Sequence, residues 1–294
     1  MARVIHTMVQ RAGGPLGLIG WALVAIVTGF ALLGPAVVPF DPTVATDAVS
    51  EPPPSLASWP QLLARAASNA RVEPIHWLGT DSSGLDVLSR TVVAARTDLV
   101  IAVAANAVSF AIGVFLGLIA GYFRNVATET LMRVSDVLQS FPVFISAMIL
   151  VALAGRSATN IVAAMTLVYT PIYIRLTRSE VLTQRERGYV ESARALGCSE
   201  WRIALRYVLP NSLAPALTQS SVTIGFAILL TAGLSFVGAG VRPPTPEWGL
   251  MIANGTSQIV LGEWWPTVFP GIAISLTVFG FAALGHGIGQ RHAR

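Results

Sequence analysis

The sequence predicts an all-α integral membrane protein with six transmembrane helices, and three observations predict it. Of its 294 residues, 53% are hydrophobic and only 12% charged, about half the charged share of an ordinary soluble domain. Six stretches free of Asp, Glu, Lys and Arg approach or exceed the roughly 20 apolar residues that a helix needs to cross a ~30 Å hydrocarbon layer. The basic residues gather in the segments that an even number of crossings places on one side.

The first stretch, Ala12–Phe40, has its apolar heart at Leu16–Val38. It follows Arg3 and Arg11 as a signal peptide would, but it is longer than a signal core. It runs on into Val37-Val38-Pro39-Phe40-Asp41 with no clear A-x-A site, so an uncleaved anchor is expected. Residues 1–40 thus form the N-terminus and first span. The second span is expected at Leu99–Phe123, the third at Val137–Gly155 and the fourth at Ser157–Ile174. Tyr207–Val241 holds the fifth with flanking loop, and Trp264–Gln290 the sixth. Within the second, Gly113, Gly117 and Gly121 recur every four residues, a spacing that brings a neighbouring helix close. Pro142, Pro171, Pro215, Pro266 and Pro270 mark kinks.

Orientation follows from the arginines. Arg3, Arg11, Arg291 and Arg294 lie at the termini, seven Arg lie in Arg175–Arg206, and two more lie in Arg124–Asp136. The positive-inside rule puts these in the cytoplasm, with Arg156 a mild exception outside. Residues 41–98, with seven acids against four Arg, form an external region. Its Glu51-Pro52-Pro53-Pro54-Ser55 run is irregular, and Leu56–Ala70 and Asp86–Ala95 fit short helices. Residues 99–294 make the core of five spans, interrupted by a cytoplasmic loop at 175–210. The basic pI of about 9.8 therefore reads as topology and not as nucleic-acid binding.

Composition excludes several chemistries. The chain has no lysine, so it holds neither a P-loop lysine nor a Schiff base. Cys198 is the single cysteine, and His6, His76, His286 and His292 lack metal-ligand spacing. No Asp, Glu, Lys or Arg falls deep within the six stretches, as a proton-coupled carrier would need, and His286, the one imidazole in a stretch, lies near its end. The energy for transport is therefore expected from another chain.

The loop between the fourth and fifth spans is informative. Tyr189, Ala193 and Leu196 share one helical face, and Gly197 can end that helix in a left-handed cap. Trp201, Ala204, Leu205 and Val208 repeat the pattern until Pro210 breaks it. Two readings fit this spacing: a helix docked in a partner's groove, or one lying on the lipid surface.

Tyr189-Val190-Glu191-Ser192-Ala193-Arg194-Ala195-Leu196-Gly197, followed by Ile203 and Leu209-Pro210, resembles the EAA loop of bacterial ABC importer permeases, with Ser192 at the second Ala. His76-Trp77-Leu78-Gly79-Thr80-Asp81 with Gly84, Asp86 and Val87-Leu88-Ser89-Arg90 is similar to a stretch of the dipeptide/oligopeptide/nickel permeases. So are Leu234–Gly240 with Pro243–Gly249, and Trp264-Trp265 with Phe269-Pro270-Gly271. The likeness spans about Gly14 to Gly287 and points to the C-type subunit. Leu85 departs from the family's Arg, and Leu284-Gly285-His286-Gly287 from its L-G-D-G.

The resemblance implies a type I ABC importer permease fold and a non-catalytic subunit of the inner or plasma membrane. Its implied partners are a second, B-type permease, one or two ATPase subunits and an external substrate-binding protein. ATP and Mg would be bound by the ATPases, with no cofactor in this chain. Tyr189, Val190, Glu191, Ser192, Ala193, Leu196 and Gly197 would couple to an ATPase. Gly79, Thr80, Asp81 and Asp86 would shape an external vestibule, where a turn held by Asp and Thr side chains is an equal reading. Pro243, Pro244, Glu247 and Trp248 would lie near the binding protein, with Trp248 alternatively an interfacial anchor. Di- or oligopeptides are the expected cargo. Nickel or another small solute in the same family, or a secondary transporter acting alone, are the alternatives.

Overall fold

The computed structural model describes residues 14–55, 58 and 75–292, and within these the ordered elements are helical. Apart from Ser58, the short helix expected at Leu56–Ala70 lies outside the described residues, as do the arginines at positions 3, 11 and 294. Helix α1 is Pro15–Val37 and α2 is Val87–Tyr122. A bent pair follows, α3 (Val126–Ser140) and α4 (Val143–Ala154), then α5 (Ala158–Gln184). Two short helices, α6 (Gly188–Ala195) and α7 (Glu200–Ile203), lead through a π-helical turn at Ala204–Val208 into α8 (Leu209–Ser212). Helices α9 (Ala214–Phe236), α10 (Trp248–Thr256) and α11 (Trp265–His292) complete the order.

Among the described residues, α1, α2, α9 and α11 are each long and apolar enough to cross a membrane. The α3–α4 pair qualifies as a fifth crossing if taken as one element bent by 93°. The expected third span is thus no straight helix. Phe141 takes extended dihedrals and Pro142 starts α4 with no N–H to offer to α3, so the ladder breaks there. The fourth stretch is the first part of α5, which runs on into Arg175, Arg178 and Glu180. Six crossings therefore do not follow from helix length and apolarity alone.

Helix α2 corrects the sequence reading in a second way. It is one continuous helix from Val87, so the short external helix expected at Asp86–Ala95 is its first turns. Arg90 and Asp98 consequently sit on a membrane-type helix, both almost wholly buried. Pro210 likewise does not end the helical run. It lacks the N–H that an α-turn would use, and the preceding residues widen into the π turn instead.

The chain divides into two compact units, interleaved in sequence. One comprises the chain up to Ala22, Ile101–Ala227 and the chain from Val278 on. Here α2 and α5 meet along the glycine stripe. A Cβ at Gly113 would lie 2.8 Å from Thr170 O, one at Gly117 2.7 Å from Ile174 O, and one at Gly121 2.8 Å from the Val181 Cβ. Near the same helices, Tyr173 donates to Asn106 Oδ1 at 2.5 Å, and Asn106 Nδ2 donates to Ser220 Oγ at 2.6 Å. This polar chain ties α2, α5 and α9 where lipid offers no alternative partner. The other unit comprises Leu23–Val100 and Ile228–Thr277. It contains residues 38–55 and 75–86, the start of α2, the end of α9, α10 and the start of α11.

Candidate functional site

Helix α6 is amphipathic, and its apolar side is used within the chain. Val190 and Ala193 are buried with Leu118, Tyr122, Val181, Ile203, Ala204 and Val208, and Tyr189 and Cys198 pack against this cluster. Helix α6 ends in a Schellman motif. Gly197 adopts φ +78°, its N–H donates to Arg194 O at 3.0 Å, and Cys198 N–H donates to Ala193 O at 3.1 Å. Space around Gly197 is open, with nothing within 4 Å of where a Cβ would stand. Leu196 is 84% exposed.

This corrects the single-face reading of Tyr189, Ala193 and Leu196. The helix stops at Ala195, so Leu196 leaves the helical phase and turns outward while Ala193 stays in. Val190 and Ala193 are committed to the chain's own core, and the Tyr189 hydroxyl donates to Gln184 Oε1 at 3.1 Å. Glu191, Ser192, Leu196 and Gly197 remain on the surface. In the following segment Ala204 and Val208 are buried, but Trp201 and Leu205 are about half exposed.

The loop is anchored to the end of α2. Arg185 donates to Tyr122 O at 2.8 Å and Gly121 O at 3.3 Å, a cation on carbonyls that the helix terminus leaves free. Arg194 forks onto Glu200 at 2.7 and 3.1 Å, and the Tyr122 hydroxyl also donates to Glu200. These hydrogen bonds, from Arg194 first and Tyr122 second, lower the Glu200 carboxyl from 4.5 to about 2. A depressed carboxyl contributes stability above its unfolded value, which is lost as pH falls toward about 2. The stability difference between wild type and Glu200→Gln is therefore expected to stay constant from pH 5 to 8 and to shrink below about pH 4. Thermal unfolding across that range checks it.

The residues expected to shape a vestibule fall into two groups. Gly79 (φ +75°) abuts Glu51 O and the Trp265 ring, leaving no room for a side chain. Thr80 is fully buried, bridges Asp86, and accepts from Glu51 N–H at 2.8 Å through its hydroxyl. Asp86 is equally buried, bonded to His76 Nδ1 at 2.8 Å and Ser89 N–H at 2.7 Å. Those three residues hold the turn. Asp81 differs. Its Oδ1 accepts from Ser83 and Leu85 N–H, and it lines a polar cavity of about 490 Å³.

Glu247 and Trp248 are corrections. Glu247 is fully buried and caps α10, accepting from Gly249 N–H at 2.9 Å and Leu250 N–H at 2.7 Å. Trp248 is 1% exposed, and its indole donates to Thr91 O at 2.8 Å. Neither is a surface residue or an interfacial anchor. Pro243 and Pro244, joined by a cis peptide bond, do lie exposed.

Asp98 is the residue that the sequence reading passed over. It is fully buried beside Glu247, and its Oδ2 accepts from Trp248 N–H at 3.2 Å. An amide can accept the same bond, so Asp98→Asn should leave stability nearly unchanged. Asp98→Leu strands the Trp248 N–H and is expected to cost about 1–3 kcal/mol. Thermal unfolding in detergent distinguishes the two, and equal losses would contradict the pairing.

Against known proteins, residues 113–293 match the family described as binding-protein-dependent transport system inner membrane component. The chain is 39% identical over 213 residues to a probable D,D-dipeptide transport system permease protein of Escherichia coli strain K12, covering 72% of this chain and 71% of that one. It is 39% identical over 213 residues to a glutathione transport system permease protein of Pectobacterium atrosepticum, covering 72% and 70%. It is 37% identical over 276 residues to a di/tripeptide transport system permease protein of Pseudomonas aeruginosa, covering 94% and 86%.

Proposed function

Because the chain belongs to the family of binding-protein-dependent transport system inner membrane components, we propose that it forms, with a second permease, the membrane path of an ATP-driven importer of di- and oligopeptides. The chain is the multi-pass permease component. It would be worked from the cytoplasm by one or two separate ATPase subunits, which bind ATP and Mg. Cargo would arrive from an external binding protein. Six crossings with both termini inside complete the reading, the third made by the bent α3–α4 pair and the fourth by the apolar part of α5.

One observation carries the mechanism. Helix α6 is fixed to α2 and α5 by its buried side, while its tip, Leu196-Gly197, projects uncovered. An apolar residue held out on a braced helix suits a groove on another protein. Force on the tip reaches α2 through the Val190–Ala193 core and the Glu200–Tyr122 contact. Closing of two ATPases would then rock the two permeases between packed states.

The experiment is uptake of a labelled dipeptide into vesicles holding the full assembly. Uptake is expected to require ATP on the loop side and the binding protein opposite. Ion-gradient-driven uptake by this chain alone would overturn the reading. Cys198, the only cysteine, tests the sidedness. In a Cys198→Ser background, Leu196→Cys should react with an impermeant thiol reagent in inside-out vesicles and not in intact cells. Gly197→Trp should uncouple ATP hydrolysis from uptake, since it puts bulk on the exposed tip, where a Cβ meets nothing of its own chain and the φ of +78° adds backbone strain alone.

A further inference from the structure

Within the unit containing α10, a cavity of about 490 Å³ is walled by residues to which the permease reading gives no ligand, Asp81 alone having been expected at a vestibule. Most of its lining is polar: Asp81, Ser82, Arg90, Asn254, Ser257 and Gln258, with Val87, Met251 and Pro266 supplying an apolar strip. Two of these groups are buried without full satisfaction. Arg90 is 3% exposed. One terminal nitrogen donates to Pro42 O at 2.8 Å and, at 3.5 Å, to Pro244 O, but its Nε has no partner. Gln258 is 8% exposed. Its amide nitrogen bonds Ser82 Oγ, while its carbonyl oxygen has no partner.

A buried guanidinium short of acceptors and a buried carbonyl short of donors are costly unless something completes them. Their placement is specific. The cation and the Gln258 carbonyl sit in the wall, and the Asp81 carboxylate stands on the same cavity, close enough to act on Arg90 electrostatically. A ligand with one carboxylate would answer only the cation. A ligand carrying both a carboxylate and an ammonium answers the cation, the carbonyl and the acid together. The apolar strip leaves room for small side chains.

We propose that this cavity binds short peptides with free termini, the C-terminal carboxylate at Arg90 and the N-terminal ammonium at Asp81 and the Gln258 carbonyl. The inference rests on the peptide-importer reading for its cargo and for the outward position of residues 75–86. It goes beyond that reading in assigning to the permease itself a site that senses both peptide ends.

The test is calorimetric binding of dialanine, its C-terminal amide and its N-acetyl form. The protein is the complex of this chain with its partner permease and ATPases in nanodiscs, without the binding protein. Dialanine is expected to bind, and amidation or Arg90→Gln each to weaken it about ten- to a hundredfold without adding to one another. N-acetylation and Asp81→Asn should form a second non-additive pair. If Arg90→Gln does not fold, Asn254→Trp decides, since Asn254 is exposed at the cavity and an indole there fills it. That variant should abolish binding at unchanged thermal stability. Equal binding of all three ligands, or no binding while the complete importer still takes up dialanine, overturns this site and leaves the importer reading standing. Loss of binding-protein docking in Asn254→Trp with no dialanine binding also overturns it, in favour of a partner's acidic segment. Failure of the complete importer to take up any peptide sinks the importer reading instead.

Discussion

A leucine at Gly113 is expected to destabilise the protein by about 3 kcal/mol or more, the upper range for overpacking a well-filled interface. The reason is backbone proximity. A Cβ there would overlap the Cβ of Tyr173 and sit 2.8 Å from Thr170 O, neither of which is the free end of a side chain. Relief requires α2 and α5 to separate, and Gly117 and Gly121 resist that along the same line. Backbone and Cβ atoms of Ile174, Thr177, Arg178 and Val181 approach them in turn. Separation would also pull Tyr173 from Asn106, leaving an amide without its partner among apolar side chains. Gly29→Leu is the matched control, because nothing lies within 4 Å of its would-be Cβ. Thermal unfolding in detergent should show a large loss for Gly113→Leu and little for Gly29→Leu. Wild-type stability in the first would mean that the helices do not pack at this distance.

That glycine contact was legible in the sequence because small residues four apart can only line one helical face. Other parts of the fold were less so, for identifiable reasons. An apolar window stops at the first charge, so Asp98 and Arg96 set the expected start of the second span at Leu99. The helix itself begins at Val87, because Asp98 finds Trp248 and Arg90 finds Pro42, partners distant in sequence. Pro142 announced a break, but its 93° size depends on packing that no local pattern encodes. Pro210 announced a break that a π turn absorbed.

At the candidate site, Gly197 was readable as a helix stop, since a left-handed residue favours glycine. Which residues face outward was not readable. Periodicity assumes that the helix continues, and α6 ends one residue before Leu196. Glu247 and Trp248, set in a Pro-rich loop, read as surface groups. Their burial follows from the α10 N-terminus, whose free N–H groups need the carboxylate, and from the Thr91 carbonyl that accepts the indole. The polar cavity was invisible in sequence because its walls come from residues 81–90, 251–258 and 266.

Leu196→Asp is expected to lower ATP-driven uptake at least tenfold while leaving the protein's thermal stability unchanged. Leucine at 84% exposure contributes little to its own chain, so its removal costs little internally. In a partner's apolar groove the same change buries a carboxylate without a counter-charge, a penalty well above the 1.4 kcal/mol that separates tenfold affinities. Ala193→Asp makes the contrast. That residue is 6% exposed in the core cluster, so an acid there should unfold the loop before any partner is involved. Gly197→Ala separates backbone strain from docking. It forces a side chain into φ +78° at a cost of about 1 kcal/mol, without adding bulk to the tip. The ordering expected for uptake is wild type, then Gly197→Ala, then Leu196→Asp, with only Ala193→Asp losing thermal stability outright. Co-purification of the ATPases should follow the uptake order. Full uptake and ATPase retention by Leu196→Asp would show that the tip faces lipid or water, and that the partner grips this chain elsewhere.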